Sequence, residues 1–106
     1  FSSPNNSIGM TATCPGFYGP QGRKLRAGLQ FPDFMKQLQA FTFQGSRVTN
    51  FEMETSAIYG LAKLLGHRAL SVNAIVANRV TQVFTKQGEK TMDNLIKTTL
   101  AQIATL

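Results

Sequence analysis

Two short stretches of this chain hold side chains whose types and spacing could do chemistry. The first is Phe17-Tyr18-Gly19-Pro20-Gln21-Gly22-Arg23. The Gln21 amide offers donors and an acceptor, whereas the Arg23 guanidinium offers donors only. Two residues apart on an ordered loop, they can read a planar ring whose edge alternates carbonyls and an N–H, with Phe17 packed on its face. Taken alone, a Gln and an Arg on such a loop are more often solvated. The second stretch is Phe51-Glu52-Met53-Glu54-Thr55, at an expected strand-to-helix junction. Carboxylates at a helix N-terminus gain about 0.3–1 kcal/mol from the dipole, which gives Glu52 and Glu54 a purely structural account. The functional alternative is a carboxylate accepting charge-assisted hydrogen bonds from both hydroxyls of a sugar diol. Met53, between the two acids, would then pack on the sugar ring.

The surrounding pattern supplies elements to position these groups. Met10-Thr11-Ala12-Thr13-Cys14 is rich in β-formers and stops at Pro15-Gly16, a strand running into a loop. That loop is dense in Gly and Pro, which fix turns and present side chains to a site. Pro32-Asp33 opens a helical pattern with Phe34, Leu38 and Phe41, and residues 46–51 read as a short strand. Ala57, Ile58, Leu61, Ala62 and Leu65 keep helical spacing over residues 54–65, with Gly66 at the expected C-cap. Residues 69–80 contain Val72, Ala74, Ile75, Val76 and Ala77 with few charges, the composition of a central strand buried on both faces. A last helix from Thr91 to about Thr105 sets Leu95, Ile96, Leu100 and Ile103 on one face, expected to dock on a sheet. The order is α/β. A three-stranded sheet would leave edges unpaired, so further strands are expected from elsewhere.

Composition narrows the class. Of 106 residues, 42% are hydrophobic and 15% charged, which suits a globular domain rather than a disordered one. The chain opens on Phe1, and residues 1–7 read as a polar loop without the basic and apolar regions of a signal peptide. No apolar run reaches the roughly 20 residues of a membrane span. The expectation is a soluble, cytoplasmic protein taken up part-way along its length. Net charge is +6, from 11 Lys and Arg against 5 Asp and Glu, but the basic residues are scattered and match no nucleic-acid motif. The lone Cys14 cannot form an internal disulfide and reads as a small hydrophobe at a strand end. His67, just after a helix, suits the C-terminal dipole and is assigned no catalytic part. No metal-ligand cluster is present, so no metal is expected.

Phe-Tyr-x-x-Gln-x-Arg, then Asn-Phe-Glu-Met-Glu-Thr, then an apolar run ending Val-Ala-Asn-Arg resembles the uridine phosphorylases of the nucleoside phosphorylase family. The resemblance runs from about Thr11 to the C-terminal helix. It implies a three-layer αβα sandwich, of which residues 1–106 would be the C-terminal part of a single domain. Gln21 and Arg23 would bind the uracil edge with Phe17 in the nucleoside pocket. Glu54 would hold the ribose hydroxyls, Met53 would touch the sugar, and Glu52 would support the site. Val76 and Ala77 would line the base pocket, with Arg79 positioning the base-binding loop. Gln21, Arg23 and Glu54 are the catalytic candidates.

The same resemblance makes one absence informative. Purine-acting relatives and nucleosidases carry an aspartate beyond the Glu-Met-Glu motif that protonates the leaving purine, and here Ala77 fills that place. A departing uracil anion would instead need hydrogen-bond donors aimed at its charge, which Gln21 and Arg23 supply. The implied reaction is phosphorolysis of uridine to uracil and ribose 1-phosphate, with inorganic phosphate as co-substrate and no cofactor. Family members bind phosphate through a glycine-rich loop and arginines of an N-terminal half, which this sequence does not contain. They assemble as homo-oligomers, hexamers or dimers, so the isolated chain is expected to be inactive. The competing readings are a purine phosphorylase or nucleosidase of the same family and, from another class, a basic nucleic-acid-binding module.

Overall fold

Alternating small and β-branched residues put Met10–Thr13 into strand β1, which pairs in parallel with β3 (Ser46–Glu52). The structure, a computed structural model, describes residues 6–106, so the polar opening at residues 1–5 lies outside the described residues. Between the two strands run helix α1 (Phe34–Ala40) and strand β2 (Thr42–Phe43). β2 folds back on β3 as a hairpin, Phe43 opposite Ser46, giving the sheet order β1-β3-β2. Gln44 and Gly45 take φ of 49° and 77°. Two left-handed residues make the type I′ turn that matches strand twist.

Helix α1 leans on the sheet through Phe34 and Phe51, whose rings lie 6.2 Å apart at 40°. Helix α2 (Thr55–Leu64) follows β3 after two residues and returns along β1. Gly66, at φ 72°, ends α2 as expected: its N–H reaches the Lys63 carbonyl and the His67 N–H reaches that of Ala62. That pair of bonds is the Schellman arrangement, which a left-handed glycine permits.

These elements form one compact unit, Ile8–Leu70; the other contains Ser71–Leu106. In the second, β4 (Ala77–Asn78) and β5 (Val83–Phe84) make a two-rung antiparallel ladder, followed by helix α3 (Gly88–Ile103). The whole is mixed α/β with two small sheets and three α-helices among the described residues.

The long buried strand expected over residues 69–80 does not form. Residues 69–76 have no regular structure, and Val72, Ile75 and Val76 are exposed. An apolar run states a tendency to be buried, but a central strand also needs neighbours bonding both its edges. Here the only pairing among the described residues is with β5. The last helix also departs from expectation. It starts at Gly88, three residues early, because Glu89 suits the positive end of its dipole. Ile96, Leu100 and Ile103 remain exposed rather than seated on a sheet. Exposure extends to Ile58, Leu61 and Leu65 of the α2 region, and the one buried hydrophobic side chain among the described residues is Cys14.

Candidate functional site

The parallel pairing of β1 and β3 decides the geometry of the acidic cluster. Register sets Thr11 against Asn50 and Thr13 against Glu52. With side chains alternating along each strand, both pairs fall on one face. The Thr11 hydroxyl donates to Asn50 Oδ1 at 2.8 Å, and one rung on, Thr13 Oγ1 donates to Glu52 Oε1.

The other Glu52 oxygen closes the start of α2. Its Oε2 accepts the backbone N–H of Glu54 at 2.7 Å and of Thr55 at 2.5 Å. These are donors that a helix leaves without intrahelical partners. The Thr13 hydroxyl also accepts the Ser56 N–H at 3.0 Å. Burial pushes the Glu52 carboxyl upward, but hydrogen bonds from the side chains of Thr13 and Thr55 and from the backbone of Glu54 and Thr55 outweigh it. They hold its pKa at about 2. Next to it, burial raises the Cys14 thiol, and the Glu52 charge raises it further.

Glu54 behaves differently. It occupies the N-cap position of α2, yet its side chain makes no capping hydrogen bond, and the residue is exposed. Met53 beside it is exposed as well. The helix-capping account therefore fits Glu52 and not Glu54.

The loop after Cys14 forms a second cluster in the same unit. Gly19–Gln21 is one 3-10 turn, closed by Gly22 at φ 71°. A side chain on Gly22 would meet the Phe34 ring at 3.0 Å, so helix α1 presses this turn closely. Arg23 then folds back: its guanidinium lies 3.7 Å above the Phe17 ring centroid. Arg23 Nη1 donates to the Phe17 carbonyl and, at 2.7 Å, to Gln21 Oε1. Phe17 stands edge-on to Tyr18 with centroids 5.3 Å apart.

This arrangement orients Gln21. Arginine has no acceptor, so the amide atom facing it is the oxygen, which turns the NH2 end away from Arg23. Gln21 is buried and Arg23 partly so. Among the described residues, both side-chain hydrogen bonds of Arg23 leave from Nη1. The cluster sets a guanidinium against an aromatic ring and an amide oxygen.

Val76, Ala77 and Arg79 belong to the second unit. Ala77 pairs with Phe84, and the Val76 carbonyl accepts the Thr85 N–H at 2.9 Å. Val76 and Ala77 line an open depression of about 210 Å³ with Ile75 and Val83. Arg79 sits in the turn that follows, where Asn78 Oδ1 accepts the N–H groups of Val80 and Thr81. Among the described residues no cluster of His, Cys, Asp and Glu could hold a metal ion, and no helix is long and apolar enough to cross a membrane.

The residue that sequence reasoning missed is Thr13. Its partner is 39 positions away, and only the β1–β3 register brings them together.

The sequence of a uridine phosphorylase from Thermococcus kodakarensis is 48% identical to this chain over 83 residues. The chain resembles a uridine phosphorylase. The aligned stretch is 78% of the chain but 29% of that relative, so the chain spans less than a third of the uridine phosphorylase it matches. No family profile and no solved structure matches it.

Proposed function

We propose that this chain is the base- and ribose-recognising portion of a uridine phosphorylase whose full length also supplies the phosphate site. The observation that carries the reading is the division of labour between two carboxylates. Glu52 caps α2, and its carboxylate is taken up inside the fold by hydrogen bonds from Thr13, Glu54 and Thr55. Glu54, two residues on, keeps an exposed carboxylate at the helix mouth. A carboxylate anchored through its backbone N–H and taking no part in the cap suits a ribose diol. The likeness to the Thermococcus kodakarensis enzyme supports the same reading.

The chemistry follows from the donors. A phosphate oxygen attacks the anomeric carbon of uridine, the N-glycosidic bond breaks, and its electron pair passes to uracil. Ribose 1-phosphate forms, and the uracil anion then takes a proton from solvent. Ala77 can give the leaving base no proton, so its charge must be met by hydrogen bonds. The Gln21 amide and the Arg23 guanidinium are such donors. Phe17 borders the base, Met53 the sugar, and Glu54 fixes the ribose against the incoming phosphate, an orientation effect worth several kcal/mol. The resemblance to the uridine phosphorylases would give Val76 and Ala77 of the full-length enzyme a place at the base and Arg79 a supporting part.

In the full-length enzyme these elements complete a three-layer αβα sandwich and a homo-oligomer. The protein is cytoplasmic and acts in pyrimidine salvage, with phosphate as co-substrate and no cofactor. The uncovered apolar faces of α2 and α3 suit such a larger fold. A panel of uridine, inosine and 5′-methylthioadenosine, each with and without phosphate, tests the assignment on the full-length protein. Uridine cleaved only with phosphate is expected. A preference for inosine, or cleavage without phosphate, would make it a purine phosphorylase or a nucleosidase instead.

A further inference from the structure

The geometry points to Thr13 as a positioning residue for ribose recognition, acting through Glu52 and the first turn of α2 on Glu54. The inference rests on the reading of Glu54 as the ribose-binding carboxylate. Thr13 ends β1, and its hydroxyl makes two bonds that an aliphatic side chain could not replace. It donates to Glu52 Oε1 and accepts the Ser56 N–H at 3.0 Å. Glu52 Oε2 in turn holds the N–H groups of Glu54 and Thr55. The first residues of α2 are thus tied to β1 by one hydroxyl and one carboxylate, and Glu54 lies inside that tie. Its backbone is fixed while its own carboxylate stays out of the network.

The hydroxyl does two things that a methyl of equal size cannot. It stops Glu52 from rotating toward solvent, and it satisfies the third helix-starting donor, which Glu52 does not take. Without it, the Ser56 N–H loses its partner and the Glu52 carboxylate keeps only its bonds to Glu54 and Thr55, with nothing tying it to β1. The Glu54 carboxylate would then sample positions off the ribose diol, while the loop carrying Gln21 and Arg23 keeps its own bonds.

The test compares Thr13→Val and Thr13→Ser in the full-length enzyme, with calorimetric affinities for uridine and for uracil alone. Uracil has no ribose and reports only the base site. Thr13→Val should weaken uridine about tenfold, the scale of a lost hydrogen bond to a charged group, and leave uracil affinity within about twofold. Thr13→Ser should restore uridine binding. Equal loss for both ligands, no loss for either, or failure of Thr13→Ser to rescue would overturn the inference. If Thr13→Val does not fold, Thr13→Ala carries the same comparison. Unmodified protein that binds neither ligand would instead refute the functional reading beneath it.

Discussion

Thr13 and Glu52 lie 39 residues apart in sequence and are joined by a hydrogen bond where β1 and β3 end side by side. That contact makes Glu52 a structural carboxylate. It takes over the N-terminus of α2, so the neighbouring Glu54 is spared that task. Two acids of the same type, one residue between them, thereby acquire different physical roles.

The first consequence concerns acid. Folding holds the Glu52 carboxyl at about 2 against its ordinary 4.5, so the ionised form is favoured in the folded state. Its stabilisation is complete above that ordinary value and is lost as pH falls toward about 2. Denaturant titrations of the full-length protein should show wild type weakening across this window. Glu52→Gln should be about 1 kcal/mol less stable at neutral pH, the usual scale of a lost cap, and should change much less on acidification. Identical pH dependence in the two proteins would contradict the capping role.

Glu54→Ala should spare the fold and damage the reaction. The side chain is exposed and caps nothing, so denaturant midpoints should stay close to wild type. Losing charge-assisted bonds to a diol, at about 1.5–3 kcal/mol each, should lower kcat/KM for uridine by roughly 100-fold or more. Steady-state kinetics beside a melting curve checks both halves. A variant that unfolds but keeps its specific activity when folded would reverse the assignment.

Arg23 and Gln21 are expected to matter in proportion to how poor the leaving group is. Arg23→Ala removes donors from the developing uracil anion and also uncovers Phe17. A loss of about 100-fold in kcat is the scale for one such donor. With 5-fluorouridine, whose base is a more stable anion, the loss should shrink markedly. Arg23→Lys should not rescue, since a point charge cannot reproduce a planar fork stacked on a ring. A loss that is the same for both substrates would mean that Arg23 only shapes the loop.

Much of the Ile8–Leu70 unit was legible in the sequence. Thr11 and Thr13 announced a strand, the Phe34 and Ala57–Leu61 spacings announced helices, and Gly66 marked the end of α2 at its left-handed cap. These are local signals, set by side-chain period and backbone φ. The run through Val72 and Ile75 misled because its composition describes a buried strand, and no local feature says whether neighbouring strands exist to bury it. The β2–β3 hairpin was missed since Gln44 is an unusual residue for a left-handed turn. Of the candidate site residues, Gln21, Arg23 and Glu54 stood out in the sequence by type and spacing. Thr13 did not, because its role exists only through the register of two strands distant in sequence.

The most direct test of the central claim is phosphate-dependent uracil release from uridine, measured on the full-length protein and on this 106-residue chain side by side. The account predicts uracil and ribose 1-phosphate in equal amounts from the full-length protein, none without phosphate, and none from the chain alone. Uracil release by the purified chain, or no release by the full-length protein with phosphate present, would contradict it.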